Sequence, residues 1–503
     1  MCLFSRTLRT TTPMTRAPRK VTRRTFLADS ATIAAASIIT GQVTSLIANA
    51  AESLPVRQAM GTKVGEVTDT TARVWTRLTA AVERNHAGPA IGGKVRKGEP
   101  PAVNVPVADL EGACPGAPGR IRVHYSTAHD LRDAQTTAWV DVSAETDFSH
   151  QFALAGLKPT TVYHYATETS GPGGTPVHGT FRGRFTTAPS PSAPSELRFC
   201  AMTCQGYPDR DHPDGHPIYP AMLACAPQFV VFTGDNVYYD NDAPRADSIE
   251  LARYHWQRMF SLPRQVELLR HVSSYFEKDD HDTLRNDSWP ETKMGALTFA
   301  EGQDIFRQQV PLGDSIYRTF RWGRDLQIWL TDGRDFRSPN TMADGPQKTI
   351  WGAGQKAWFK RTVAESDATW KVLISPTPLV GPDRGNKNDN HANVGFQAEG
   401  DELRAWLQAN VPENFFIICG DRHWQYHSVH PLTGVREFSC GPASDSHASG
   451  SPGEDPTYHR YHRVKGGFVT VTLKREAGKS VIVCEHRDVN GAVQHEWRGA
   501  RAG

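Results

Sequence analysis

Phe229-Val-Val-Phe-Thr-Gly-Asp-Asn-Val-Tyr-Tyr-Asp240 runs from an apolar stretch of strand length straight into a Gly-Asp pair. The run predicts a β-strand, and the glycine predicts the turn that ends it. Four similar runs are read at Leu197–Thr203, Leu326–Thr331, Lys371–Ser375 and Phe415–Cys419. Between them, Ser248–Phe260, Leu297–Val310, Gly354–Ser366 and Glu399–Ala409 carry apolar residues at a period of about 3.6 and predict helices. Strands alternating with helices predict a layered α/β or α+β domain. Later strands at Gly467–Leu473 and Ser480–Glu485 are expected to be antiparallel, and no internal repeat is found.

Upstream, the pattern changes. Residues 55–190 hold short alternating runs: Thr71–Arg77, Ile121–Tyr125, Ala138–Val142, Phe148–Leu154, Thr161–Thr167 and Phe181–Thr187. Such period-two runs between turns predict a fibronectin-like antiparallel β-sandwich. Leu157-Lys-Pro-Thr-Thr-Val-Tyr163 is expected to form its corner, with the tyrosine pinning the turn. Nothing in this block carries chemistry, so a packing or lid module is expected. The Pro/Ser-rich segment 188–194 separates it from the α/β body, expected over 195–503. A chain of 503 residues is long enough for two or three domains.

The first 50 residues hold seven Lys/Arg and one acid. Arg23-Arg24-Thr-Phe-Leu27, an Ala/Ile-rich run and Ala48-Asn-Ala50 resemble a twin-arginine export signal with its cleavage site. The expected partner is the translocation machinery, and the expected destination is periplasmic or extracellular. Ser, Thr, Gln and Gly dilute the apolar run too far for a permanent transmembrane segment. Met1 and Met14 both remain as starts. The rest of the chain has 49 basic and 53 acidic residues, a net −4 that gives no footprint for nucleic acid. Of eight cysteines one lies in the signal, and the seven others lack the spacing of a disulfide framework.

The residues with chemistry sit where strands end, the place at which α/β sheets bind ligands. Thr203-Cys204-Gln205 follows the first strand and Gly234-Asp235-Asn-Val-Tyr238 the second. Asp279-Asp280-His281-Asp282 lies in a loop with Asn286 beyond it, and Gly420-Asp421-Arg-His423 follows Phe415–Cys419. Each alone is a weak signal, since strand-end turns are common. Together they supply thiolate, carboxylates, phenolate, amide and imidazole, a full ligand set for two metal ions. The motifs of nucleotide-binding loops, zinc proteases and serine-hydrolase elbows are absent.

In that order the four motifs resemble the alkaline phosphatase D (PhoD-like) family of metallophosphoesterases. Asp332-Gly-Arg334-Asp-Phe-Arg337 is similar to another segment of that family. The surroundings of Gly234-Asp235 and the ending Gly420-Asp-Arg-His-Trp-Gln-Tyr426 depart from its usual pattern and suggest a divergent subgroup. The resemblance implies an αββα metallophosphoesterase core behind the front sandwich, hence an α+β protein. It implies hydrolysis of a small phosphate mono- or diester at a centre of ferric iron with calcium. Asp235 is the bridging carboxylate in this reading; Cys204, Tyr238 and His423 suit the iron. Asp280, Asn286 and Asp421 suit the second ion, for which manganese or magnesium are alternatives. His281 is expected to assist the leaving group, and Arg334 and Arg337 to clamp phosphate unless salt bridges to Asp332 or Asp335 hold them. His391 lies where related enzymes carry a further ligand, and its role stays open. The rival readings are a phospholipase D-like phosphodiesterase and a non-catalytic secreted binding protein.

Overall fold

The computed structural model describes residues 55–95 and 103–502. The expected export segment therefore lies outside the described residues. Two large sheets face each other. The first has nine strands, in spatial order Val493–Ala502, Lys479–Asp488, Gly467–Glu476, Leu197–Met202, Phe229–Thr233, Ser273–Glu277, Thr62–Gly65, Thr71–Arg77 and Ser149–Ala155. Leu197–Met202, Phe229–Thr233 and Ser273–Glu277 run parallel at its centre, and the C-terminal strands flank them antiparallel as expected. The second sheet has seven strands, with Leu326–Leu330, Trp370–Ser375 and Phe415–Cys419 parallel.

Alternation along each strand sends one set of side chains inward and the next outward. Phe229 and Val231 join Phe199 and Tyr275 against Ile328, Leu330, Val372, Ile374, Phe416 and Ile418 of the second sheet. Val230 and Phe232 point the other way, onto residues of helices Ile218–Ala224, Ile249–Phe260, Pro263–Leu269 and Phe299–Gln309. Behind the second sheet, Trp329, Leu373 and Ile417 pack on Phe359 and Val363 of helix Gly352–Glu365 and on Leu403 and Leu407 of helix Gln397–Asn410. The layers are thus helix, sheet, sheet, helix. Ser248 caps helix Ile249–Phe260, and a Thr298–Glu301 capping box starts helix Phe299–Gln309.

The front segment forms two β layers. A five-stranded antiparallel sheet built around Gly119–Ser126, Val162–Ser170 and Val177–Thr186 packs Ile121, Val123, Tyr165 and Phe185 against Val64, Val74, Phe152 and Leu154. The Tyr163 hydroxyl accepts the Lys158 backbone N–H at 2.9 Å and so pins the corner. The second layer is not closed off from the body. Gly65 pairs in parallel with Ser274, so Thr62–Gly65, Thr71–Arg77 and Ser149–Ala155 extend the nine-stranded sheet. The Trp75 indole N–H donates to the Gln308 carbonyl at 2.7 Å, and the Tyr275 hydroxyl to that of Val67 at 2.6 Å, across the same seam.

One strand of this seam carries no apolar run. Ser273-Ser-Tyr-Phe-Glu277 is polar at three of five positions yet wholly buried, because its Ser274 hydroxyl and Glu277 carboxylate find partners in Val64 and Thr331. This strand leads directly into Asp279 and Asp280.

Candidate metal centre

Strands Leu197–Met202, Phe229–Thr233 and Phe415–Cys419 end at one edge of the stacked sheets. The Asp421 N–H lies 3.4 Å from the Thr203 hydroxyl, bringing the end of the second sheet onto the first. After each strand the chain turns through left-handed backbone: φ is +51° at Cys204, +53° at Asp235 and +63° at Asp421. Such angles cost a non-glycine residue about 1–2 kcal/mol, and strain of this kind collects at functional sites. Gly234, at φ +95°, leaves no room for a side chain: a Cβ there would stand 2.7 Å from that of Asp279.

These turns, with the loop after Ser273–Glu277, aim seven of the expected residues at one volume. Asp235 Oδ2 accepts from the Tyr238 hydroxyl at 3.0 Å and lies 3.4 Å from Cys204 Sγ. Tyr238 Oη is 3.3 Å from His423 Nε2. Donor atoms of Cys204, Asp235 and His423 lie within 4.8 Å of one another, and so do those of Asp235, Asp280 and His281 and those of Asp235, Asp279 and Asp421. Asp235 belongs to all three groups.

The electrostatics follow from burial. Desolvation pushes the Cys204 thiol and the Tyr238 phenol well up, with the Asp235 charge adding to both. Desolvation also raises Asp235 and Asp279. It opposes ionisation of Asp280 too, but Arg334 and His281 outweigh it and hold that carboxyl below its usual range. For His281 burial favours the neutral ring, and Asp240, Asp280 and Asp235 together overcome it, raising the imidazole well above its ordinary value. Asp235 Oδ1 and Asp279 Oδ2 are buried without any hydrogen-bond partner. Crowded, desolvated acids with orphaned oxygens are costly unless a cation neutralises them. Thiolate, phenolate and imidazole beside hard carboxylates are also the donors that metal ions take, so the residues present fit a metal.

Other expectations meet different surroundings. Asn286 stays exposed, and its tie to the site is its backbone N–H, which donates to Asp240 Oδ2 at 2.9 Å. Arg334 is fully buried and donates from Nε to Asp279 Oδ1, with Nη2 3.5 Å from Asp280. Asp332 and Asp335, the acids nearest to it in sequence, are held by Lys278 instead. Arg337 donates from Nη2 to Asn340 Oδ1 at 2.6 Å and to the Asp389 carbonyl at 3.0 Å. His391 pairs with Glu399 at 2.9 Å, outside all three donor groups.

Three participants were not singled out from the sequence. Asp240 holds His281 Nδ1 at 2.5 Å, and Asp279 supplies a carboxylate to the third group. Both sit inside quoted motifs, and only the fold distinguishes them from their neighbours. The third, His447, places Nε2 3.3 Å from His423 Nε2. It follows strand Arg436–Cys440, whose alternating Arg-Glu-Phe-Ser-Cys is not the apolar run used to find strand ends.

Residues 199–474 match the family model of the PhoD-like phosphatase, and residues 44–189 match the PhoD-like phosphatase N-terminal domain. A solved structure described as that of PhoD is 15% identical, with a TM-score of 0.67 over 88% of this chain and 89% of that one. A purple acid phosphatase from yellow lupin (Lupinus luteus) seeds is 13% identical, with a TM-score of 0.59 over 89% of this chain and 74% of its own. At such identities the two structures speak for the fold. No curated protein matches the chain. The family match spans more than half of the sequence: the chain belongs to the PhoD-like phosphatase family and is a metal-dependent phosphoric ester hydrolase.

Proposed function

We propose that the centre holds two cations with Asp235 between them, and that it hydrolyses small phosphate mono- or diesters. The observation that carries this reading is the sharing of Asp235 by three donor groups that otherwise have no member in common. Cys204, Tyr238 and His423 form the softer side and fit ferric iron; Asp279, Asp280 and Asp421 form the harder side and fit calcium, manganese or magnesium. Asn286 joins that side through a turn of its exposed side chain.

Bound cations supply positive charge that polarises a phosphoryl oxygen and lowers the pKa of water, as two-metal sites do. The chain's own groups do the rest. Asp240 fixes His281 through Nδ1 and leaves Nε2 to protonate the departing alkoxide oxygen. Arg334, with Nε on Asp279 and Nη2 beside Asp280, orients the acids of the harder side. That positioning role replaces a direct clamp on phosphate by Arg334, while the clamp by Arg337 stays part of the reading.

The reading also keeps the front module at 55–190 and the catalytic body at 195–503, and export of the folded chain under its twin-arginine signal. No helix among the described residues is long and apolar enough to cross a membrane. The test is hydrolysis of a nitrophenyl monoester and a bis-nitrophenyl diester by the protein and by Asp235→Asn. The variant is expected to lose at least about a hundredfold in rate, since ligand-shell changes alone cost 10–100-fold. Full hydrolysis by Asp235→Asn at unchanged metal content contradicts the mechanism, and activity confined to phospholipid vesicles favours the phospholipase D-like alternative.

A further inference from the structure

Two aspartate–histidine pairs flank the Tyr238 ring. His281 lies 4.5 Å from it, centroid to centroid, with Nδ1 on Asp240. His447 lies 5.1 Å from it, with Nδ1 2.7 Å from Asp209 Oδ2. The reading above uses the first pair and leaves the second without a task. His447 is 4% exposed, and its Nε2 reaches the centre beside His423. It belongs to none of the three donor groups. Its place is therefore beside the ligands, facing the space that they surround.

The surroundings hold this imidazole in one orientation. The Ser446 hydroxyl donates to the Asp209 carbonyl at 2.9 Å, and the Ser449 N–H to the His423 carbonyl at 3.1 Å, which fastens the loops on both sides. A Cβ on Gly206 would lie 2.7 Å from His447 Nδ1 and 2.9 Å from Asp209 Oδ2, so glycine is what lets the pair close over this turn. Asp209 has a second partner from a distant part of the chain. Lys94 Nζ, of the front module, stands 2.8 Å from Asp209 Oδ2. Its backbone is docked as well, through Val95 N–H on the Asn241 carbonyl at 2.7 Å and Ala243 N–H on that of Gly93 at 3.0 Å.

We propose that His447 is a substrate-contacting residue whose Nε2 hydrogen-bonds a phosphoryl oxygen held in the centre. Asp209 and Lys94 are positioning residues that fix its ring. The proposal rests on the phosphoesterase reading of the same site and adds to it a phosphate contact, with a front-module residue in its support. A carboxylate on Nδ1 fixes which nitrogen points into a site, and a charge-assisted bond to phosphate is stronger than a neutral one.

The test uses the metal-loaded protein, with His447→Asn, Lys94→Met and Lys94→Arg, and inorganic phosphate as the probe. Phosphate binding is measured by calorimetry, metal content by elemental analysis, and KM and kcat with a nitrophenyl monoester. His447→Asn is expected to keep its metal and to weaken phosphate binding and raise KM by roughly ten- to a hundredfold, the range for a hydrogen bond to a charged group. Lys94→Met is expected to shift both constants the same way by a smaller factor, with Lys94→Arg restoring them. Unchanged phosphate affinity in His447→Asn overturns the proposal, and so does loss of metal, which would make His447 a ligand. Should His447→Asn not fold, Lys94→Met decides alone, since its side chain is half exposed, and unchanged phosphate affinity there also overturns it. A chain that hydrolyses no ester yet binds phosphate through His447 would contradict the phosphoesterase reading and support this contact.

Discussion

At the scale of single residues, the centre depends on acids that burial opposes and neighbours hold in place. His281 shows how a local reading and the fold combine. Its position next to Asp280 is visible in the sequence, but its charge is set by Asp240, 41 residues earlier, and by Asp235. Replacing His281 with Asn removes the proton donor and is expected to lower kcat for an alkyl phosphate by about 10²–10⁴-fold. The loss should be far smaller for a nitrophenyl ester, whose leaving group departs without protonation. Equal losses on the two substrates in steady-state kinetics would remove His281 from that role. Cys204, Asp235, Tyr238, Asp421 and His423 were legible because each follows a strand whose apolar run is visible. Arg334 was legible as a residue but not in its partner. The sequence suggested a phosphate clamp, with a salt bridge to Asp332 or Asp335 as the alternative, and the turn after Leu326–Leu330 carries the guanidinium to Asp279 instead.

At the scale of elements, His391 and Glu399 join the loop at 391 to helix Gln397–Asn410. Glu399 also accepts from the Thr349 hydroxyl and from the Ile350 N–H at 2.6 Å. Burial raises its carboxyl, yet the bonds from His391, Thr349 and Ile350 prevail and bring it down to about 2. A carboxyl lowered on folding contributes its full stability above the unfolded value of about 4.3 and loses it as pH falls towards the folded one. Glu399→Gln is therefore expected to lower stability by about 1–3 kcal/mol at pH 7. That gap should close between about pH 4.3 and 2. Denaturant melts across this range check it, and a gap independent of pH would contradict the assignment. Helices Ile249–Phe260 and Gly352–Glu365 were read to within two residues because their apolar period is regular. Strand Ser273–Glu277 was not, since buried polar side chains satisfied by distant partners leave no periodic trace.

For the whole molecule, the sequence separated a β front from an α/β body at the Pro/Ser segment, and the composition shift there is plain. The sharing of one sheet across that division was not legible, because a strand pairing between Gly65 and Ser274 leaves no sign in either segment. Its consequence is mechanical. Lys63, Trp75 and Arg77 are buried at or near this seam, and Val64, Val74 and Phe152 belong to the same continuous core as Phe199, Val231 and Tyr275. Removing residues 55–190 would expose that apolar face and the edge of Ser273–Glu277, the strand that delivers Asp279 and Asp280. The fragment 195–503 is expected to be insoluble or to show no cooperative melting, whereas a soluble fragment with full phosphate-ester hydrolysis would show the front module to be dispensable.

The central claim is that turns far apart in sequence close a single cage around two cations. Elemental analysis of the purified, hydrolytically active protein, joined to its visible absorption spectrum, tests this most directly. The account predicts two metal ions per chain, one of them iron, with a charge-transfer band from Cys204 or Tyr238 that is lost in Asp235→Asn. An active, colourless chain without bound metal would contradict it.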